Sequence, residues 1–232
     1  MGRDGDARSL WERAAAAGVV RDKWQCSLKL SPAEWGLRVQ PWWSPQEVDG
    51  AEELTARLQH DFEAIKGEVV RFFVDQKVPI GVTVQLNREV DAVRMGDWTE
   101  LILFKRGSEL QDACLAVPQL CGILRPLSKR FHAQGMAKLS HFKGSTTSHP
   151  HCGPRDSQIR MHFTLALPAH HRAELTVAGI TKKWQQGLSM FFDDSVENFV
   201  VFDTDADASR IVLIIDFPHP ELPSSAAPRG EL

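Results

Sequence analysis

Three stretches of the chain bring together side chains able to bind a metal or an anion. The first is His149-Pro150-His151-Cys152-Gly153-Pro154 with Arg160-Met161-His162 soon after it. The second is Phe192-Asp193-Asp194-Ser195-Val196-Glu197-Asn198, and the third is Arg210 at the head of the apolar run Ile211–Phe217. Neutral imidazole is a common ligand for transition metals, and the planar guanidinium fork grips carboxylates through two parallel hydrogen bonds. Residues two apart on a strand share a face, so Arg160 and His162 point the same way with Met161 opposed. Facing into a barrel, that pair invites an anion; on the outer face of an edge strand it would simply be solvated. Arg210 is more informative. A charge opening an otherwise apolar strand is retained at an open end or beside an anionic partner, and a dicarboxylate suits it.

His149 and His151 stand at i and i+2, the spacing of a His-x-His metal site, although Pro150 lies between them and the alternative is a surface His149. Asp193 and Asp194 are adjacent, so on a strand they face opposite ways and do not read as an acid–base pair. His170 and His171 follow Pro168 in a loop, and His219 within Phe-Pro-His-Pro-Glu reads as a fastening for the chain end.

These side chains need a scaffold. From Met136 onward the chain is a series of short β-prone runs broken by turns: Lys138–Phe142, Ile159–Leu167, Ala173–Val177, Ser189–Phe192, Phe199–Phe202 and Arg210–Phe217. Short strands at such spacing predict a sandwich or barrel. Upstream, Leu10, Trp11 and Ala14 form a stripe in a short helix over 8–17, closed by Gly18. Residues 23–39 read as an irregular segment wrapping over the domain C-terminal to it. Ser44-Pro45 opens one long helix whose apolar stripe runs through Leu54, Leu58, Phe62, Ile65, Val69 and Phe72/Phe73. In the ambiguous stretch 77–96, Val82, Val84 and Leu86 alternate as a strand would. Trp98–Phe104 predicts a strand and Pro118–Leu124 a short helix.

With 232 residues, 43% of them hydrophobic, one principal domain is the default. A net charge of -3 without a Lys/Arg-rich block leaves no basic field for a phosphate backbone, so nucleic acid is excluded as a partner. The apolar runs are too short for a membrane span, and the N-terminus lacks a signal-peptide core, which points to the cytoplasm. The four cysteines show no zinc spacing. Cys114 and Cys121 flank a short loop, and either a disulfide or two half-buried thiols is compatible with that separation.

The order HCGP, RMH, FDDSVE and RIVLIIDFPHPEL closely resembles the aspartyl/asparaginyl β-hydroxylase family. The likeness extends through Gly96-Asp97-Trp98, Cys114, Cys121 and Ser140, and covers roughly residues 41–222. The resemblance implies a mainly β fold with N-terminal α-helices, a double-stranded β-helix of the jelly-roll or cupin type. It implies a helical lead-in over 1–40 and the hydroxylase-like domain over 41–222, while the composition PSSAAPRGEL over 223–232 predicts a disordered tail. It also implies Fe(II) with 2-oxoglutarate as co-substrate, and hydroxylation of Asp or Asn side chains in a peptide with release of succinate and CO2. By the same resemblance His151 is the first metal ligand, and Gly153 stands where other oxygenases carry a carboxylate ligand. Arg210 with Ser140 holds the distal carboxylate of 2-oxoglutarate, Arg160 and His162 contact its other end, and Trp98 lines the pocket. Cys114–Cys121 matches a family disulfide.

One position departs from the pattern. Asn198 stands where the family carries its second iron-binding His, and an amide oxygen is a weaker ligand for Fe(II) than imidazole. Three readings are compatible with that change. The chain is a non-catalytic relative that binds a peptide or a dicarboxylate; or it is an active dioxygenase whose metal is held by His151, Asn198 and 2-oxoglutarate; or His149 supplies the missing imidazole.

Overall fold

Leu54, Leu58, Ile65 and Val69, the heart of the long apolar stripe, are all fully buried. In the computed structural model, which describes residues 3–19, 22–27, 30–32, 35–74, 85–86 and 97–223, that stripe belongs to two helices rather than one. A 3-10 turn at Pro45–Glu47 is closed by the Ser44 N–H donating to Glu47 Oε2 at 2.8 Å. Helix α2 (Ala51–His60) then stops at Asp61, and α3 (Phe62–Val74) resumes the same stripe. The heptad-like spacing survives the break because both helices lie on one surface, with Phe62 edge-on to Phe163 at 6.1 Å between ring centres.

That surface is a sheet. The strands are β1 (Trp42–Trp43), β2 (Gln85–Leu86), β3 (Asp97–Lys105), β4 (Ser108–Glu109), β5 (Met136–Lys143), β6 (Thr146–Thr147), β7 (Gln158–Ala166), β8 (Arg172–Val177), β9 (Ile180–Lys183), β10 (Ser189–Asp193), β11 (Asn198–Asp203) and β12 (Ser209–Pro218). The larger sheet runs β1-β10-β7-β12-β5-β3-β2, with β4 beside β3, and a second sheet runs β6-β11-β8-β9. All the pairings are antiparallel.

β12 explains why its sequence does not alternate. Ile211, Leu213, Ile215 and Phe217 pack into the cluster that includes Leu54, Leu58, Ile65 and Val69. Val212 and Ile214 belong instead to a second cluster with Leu175, Val177, Val200 and Phe202 of the smaller sheet. A strand covered on both faces reads as a continuous apolar run. Two sheets stacked face to face, with helices on the outside of one, make this a mainly β double-stranded β-helix.

The remaining elements correct or extend the sequence reading. Helix α1 (Arg3–Ala16) forms and ends at Gly18, whose φ of 71° suits a residue without a β-carbon. Leu10 of its stripe is 57% exposed and Ala14 half-buried. Helix α4 (Gln111–Ala116), unread in the sequence, precedes α5 (Pro118–Leu124), and Cys114–Cys121 bridges them with α-carbons 5.5 Å apart. A second disulfide, Cys26–Cys152, was not foreseen; its α-carbons lie 5.6 Å apart across 126 residues of chain. Val82, Val84 and the tail from 224 onward fall outside the described residues, whereas Leu86 does enter β2. Among the described residues no helix is long and apolar enough to cross a membrane.

Candidate functional site

Cross-strand register places the sequence candidates in consecutive rows. Arg210 of β12 lies opposite Phe142 of β5, which lies opposite Trp98 of β3. One row on, Val212 faces Ser140 and Thr164; next, Ile214 faces Lys138 and His162; then Asp216 faces Arg160. Because Val212 and Ile214 pack toward the smaller sheet, the residues in register with them point into the space between the sheets.

Arg210 is 1% exposed, and its Nε and Nη1 have no hydrogen-bond partner. Burial pushes its guanidinium pKa down to about 9, yet the group stays charged at neutral pH. Its Cζ lies over the rings of Phe142 and Trp184, 4.4 and 4.1 Å from their centres. The unpartnered Nε and Nη1 remain for a ligand, and a carboxylate can take such a fork through two bonds. His162, 4% exposed, is likewise unpartnered at both ring nitrogens. Its pKa is held well below the usual histidine value by burial first and then by the Arg210, Arg160 and Lys138 charges, so the ring is neutral. Ser140 Oγ accepts a 3.1 Å hydrogen bond from Trp98 Nε1. An unpaired buried cation with unsatisfied donors is costly in a folded protein. A bound dicarboxylate fits that deficit.

Arg160 shares the inward face but is otherwise engaged. Its Nη1 lies 2.7 Å from Asp194 Oδ2 and its Nε 2.8 Å from Asp216 Oδ1. Burial opposes its charge, and the two carboxylates more than offset this, raising its pKa. Two of its edges are therefore unavailable to the co-substrate contact that the family resemblance implied. Lys138, also in the barrel, pairs with Glu100 at 2.6 Å.

His151 and Asn198 form an isolated antiparallel bridge, each backbone N–H donating to the other's carbonyl at 3.0 and 2.8 Å. Directly paired residues project on one side of the ladder, so the imidazole and the amide are neighbours. Asn198 Nδ2 donates to Val196 O at 3.1 Å, with Asp194 Oδ1 3.5 Å away, which leaves its Oδ1 for a ligand. A β-carbon at Gly153 would collide with the Asp194 carboxylate, so no side chain stands where other oxygenases place their third ligand. His149 is exposed, and it is its carbonyl, not its ring, that meets His151 Nδ1 at 2.8 Å. No group of three or more His, Cys, Asp or Glu able to hold a metal occurs among the described residues. The donors that would hold Fe(II) are one imidazole and one amide oxygen, and a chelating 2-oxoacid suits so sparse a donor set.

Asp193 and Asp194 diverge as expected. Asp194 meets Arg160, while Asp193 accepts from the Ser195 N–H at 2.9 Å, and its pKa is pushed up to about 7 by burial. His170 and His171 stay exposed, and His219 meets Arg38 O at 3.0 Å through Nε2. The residues missed were Trp184, Phe142 and Asp216. Asp216 was legible by the argument used for Arg210: an acid inside an apolar strand needs a cation, and it sits on the parity of Arg210. Trp184, in a loop after β9, carries no local signal.

The two stacked sheets define a double-stranded β-helix with a buried, unpartnered guanidinium in its interior. The sequence profile of the family described as aspartyl/asparaginyl beta-hydroxylase matches residues 59–220, and the chain belongs to that family. It is 31% identical over 218 residues to the aspartyl/asparaginyl beta-hydroxylases of Mus musculus and Homo sapiens, covering 94% of this chain. It spans 28% and 27% of their respective lengths, about a quarter. Among solved structures, a Pseudomonas putida prolyl-4-hydroxylase superposes with TM-score 0.41 at 12% identity, over 72% of this chain and 98% of that one. A viral collagen prolyl hydroxylase from Paramecium bursaria Chlorella virus-1 superposes with TM-score 0.38 at 8% identity, over 66% and 90% of the two chains.

Proposed function

We propose that this chain is a 2-oxoglutarate-dependent hydroxylase domain acting on Asp or Asn side chains of a peptide. The observation that carries this reading is Arg210, a buried guanidinium with two unpartnered nitrogens beside the unpartnered ring of His162. In this reading Arg210 and the Ser140 hydroxyl take the distal carboxylate of 2-oxoglutarate, and Phe142 and Trp184 fix the guanidinium plane. His162, neutral and unpartnered, takes the opposite end; Trp98 orients Ser140; Arg160 acts mainly through Asp194 and Asp216. His151 and Asn198 are the residues that would hold Fe(II), which supplies the coupling of 2-oxoglutarate decarboxylation to hydroxylation when bound. The test is calorimetric titration with 2-oxoglutarate in the presence of Mn(II). Arg210→Ala should weaken binding by about 1.5–3 kcal/mol, roughly ten- to a hundredfold, because a charge-assisted pair is lost. Equal affinity in the variant would overturn the assignment.

A second reading is favoured by the amide at Asn198, whose nitrogen is turned to Val196 and Asp194. With one imidazole in place of two, the barrel would bind a dicarboxylate or a peptide without turnover. Succinate release from a peptide library containing Asp and Asn separates the two readings. The pair of disulfides also supports an oxidising compartment rather than the cytoplasm expected from the sequence. Trapping thiols in intact cells with an alkylating reagent checks this: both pairs should resist labelling.

A further inference from the structure

Residues 24–27 lie outside the segment matched by the family profile, yet they are stitched to both limbs of the His151–Asn198 pair. Gln25 bridges to Val196; Cys26 N–H donates to Ser195 O at 3.1 Å, and Glu197 N–H to Trp24 O at 2.8 Å. This short antiparallel contact covers residues 195–197, immediately before Asn198. On the other limb, Ser27 Oγ donates to Gly153 O at 2.7 Å, with Ser195 O 3.3 Å away, so one hydroxyl touches both segments. Cys26 is bonded to Cys152, the residue next to His151 on its C-terminal side. Gln25 and Ser27 are buried, so these hydrogen bonds are shielded from competing water.

We propose that this strap positions His151 against Asn198, and that the Cys26–Cys152 disulfide places that positioning under redox control. The role assigned to the pair rests on the function proposed above; the strap's hold on it does not. His151 and Asn198 meet through their two backbone hydrogen bonds, with Ser148 N–H donating to Val200 O at 3.1 Å on one side and Gly153 N–H to Asp194 O at 2.6 Å on the other. Asn198 opens β11, but His151 lies outside any regular strand, where a backbone pair opens more readily unless its surroundings are tied. The strap adds a covalent tie beside His151 and, beside Asn198, hydrogen bonds to Ser195 and Glu197. Reduction by a dithiol breaks the sulfur–sulfur bond. Two electrons and two protons pass to Cys26 and Cys152 as thiols, and the reductant closes to its own disulfide. The strap is then held by hydrogen bonds alone, and the His151 limb, without its covalent tie, opens from Asn198 more often.

The experiment is amide hydrogen exchange on the full chain, read at His151 and Asn198. In the Cys114→Ser/Cys121→Ser variant the remaining disulfide is Cys26–Cys152, so dithiol acts on one bond; Cys26→Ser in the otherwise native chain gives the same information without reductant. Exchange at both positions should rise about tenfold on reduction, while β12 stays protected. Unchanged exchange at the pair, or an equal rise across β12, overturns the proposal. A second arm measures Mn(II) and 2-oxoglutarate affinity in Cys26→Ser. Positioning predicts severalfold weaker Mn(II) binding with 2-oxoglutarate affinity, measured without metal, unchanged, a split that general loosening would not produce. Failure of the native protein to bind Mn(II) would count against the metal reading, and the exchange arm would still decide the strap.

Discussion

Arg210 combines two properties that conflict in a protein selected for stability alone: it is charged, and its buried nitrogens lack partners. Replacing such a group by an apolar residue of similar length removes the desolvation cost. Arg210→Met should therefore stabilise the ligand-free protein by about 1–4 kcal/mol, read as a higher thermal midpoint, while 2-oxoglutarate binding weakens as in Arg210→Ala. A lower midpoint, read by calorimetry, would mean that the guanidinium has a partner in solution. Asn198 carries the complementary prediction. Its backbone already pairs with His151, so Asn198→His adds an imidazole beside an existing one without moving the chain. Mn(II) affinity should rise at least tenfold by dialysis equilibrium, since imidazole is the stronger donor to transition metals. No gain would show that the side chain at 198 does not reach the ion.

At the scale of elements, α5 is short, and tertiary contacts hold it in place. Proline opens it, and the next two N–H groups, those of Gln119 and Leu120, donate to the Glu68 carboxylate of α3 at 2.9 and 3.0 Å. Glu68 is buried, so its removal leaves two donors unsatisfied beside the helix N-terminus. Glu68→Ala should cost about 1–2 kcal/mol in urea unfolding, with exchange in α5 rising more than in β7. The Cys114–Cys121 bridge ties the same helix to α4. That corner packs over the outer face of the large sheet, so its loosening should leave 2-oxoglutarate affinity at the inner face nearly intact.

For the whole molecule, pH acts through groups scattered across the barrel. Burial holds His132 and His141 down to about 4, and His162 well below its usual value. The unfolded chain binds a proton at each near pH 6.5, so between that pH and about 4 the unfolded state takes up more protons. Stability from these three histidines is fully present above pH 6.5 and falls as the pH drops, by about 1.4 kcal/mol per unit for each. Asp193 works the other way. Raised to about 7, it keeps its proton in the folded state, so its contribution grows as pH falls from about 7 toward its ordinary value and offsets one histidine. The urea midpoint should therefore be clearly lower at pH 5 than at pH 7; an equal or higher midpoint at pH 5 would show that these histidines protonate in the native state.

Local pattern determined much of this protein by itself. Strands β5, β7, β10 and β12, helix α5 and the apolar stripe of α2 and α3 could be placed from residue spacing, because periodicity reports which faces are buried. Arg210 could be singled out because a charge in an apolar strand demands an explanation from any fold. Tertiary structure decided the rest. Nothing local in Trp184 or Phe142 says that they cap a guanidinium 26 or 68 residues away in sequence; only the stacking of two sheets brings their rings to 4.1 and 4.4 Å. The commitment of Arg160 to Asp194 and Asp216, and the bond from Cys26 to Cys152, depend likewise on chain segments that meet only when the barrel closes. Spacing along a chain encodes burial, a one-dimensional property, whereas pairing among buried groups depends on three-dimensional register.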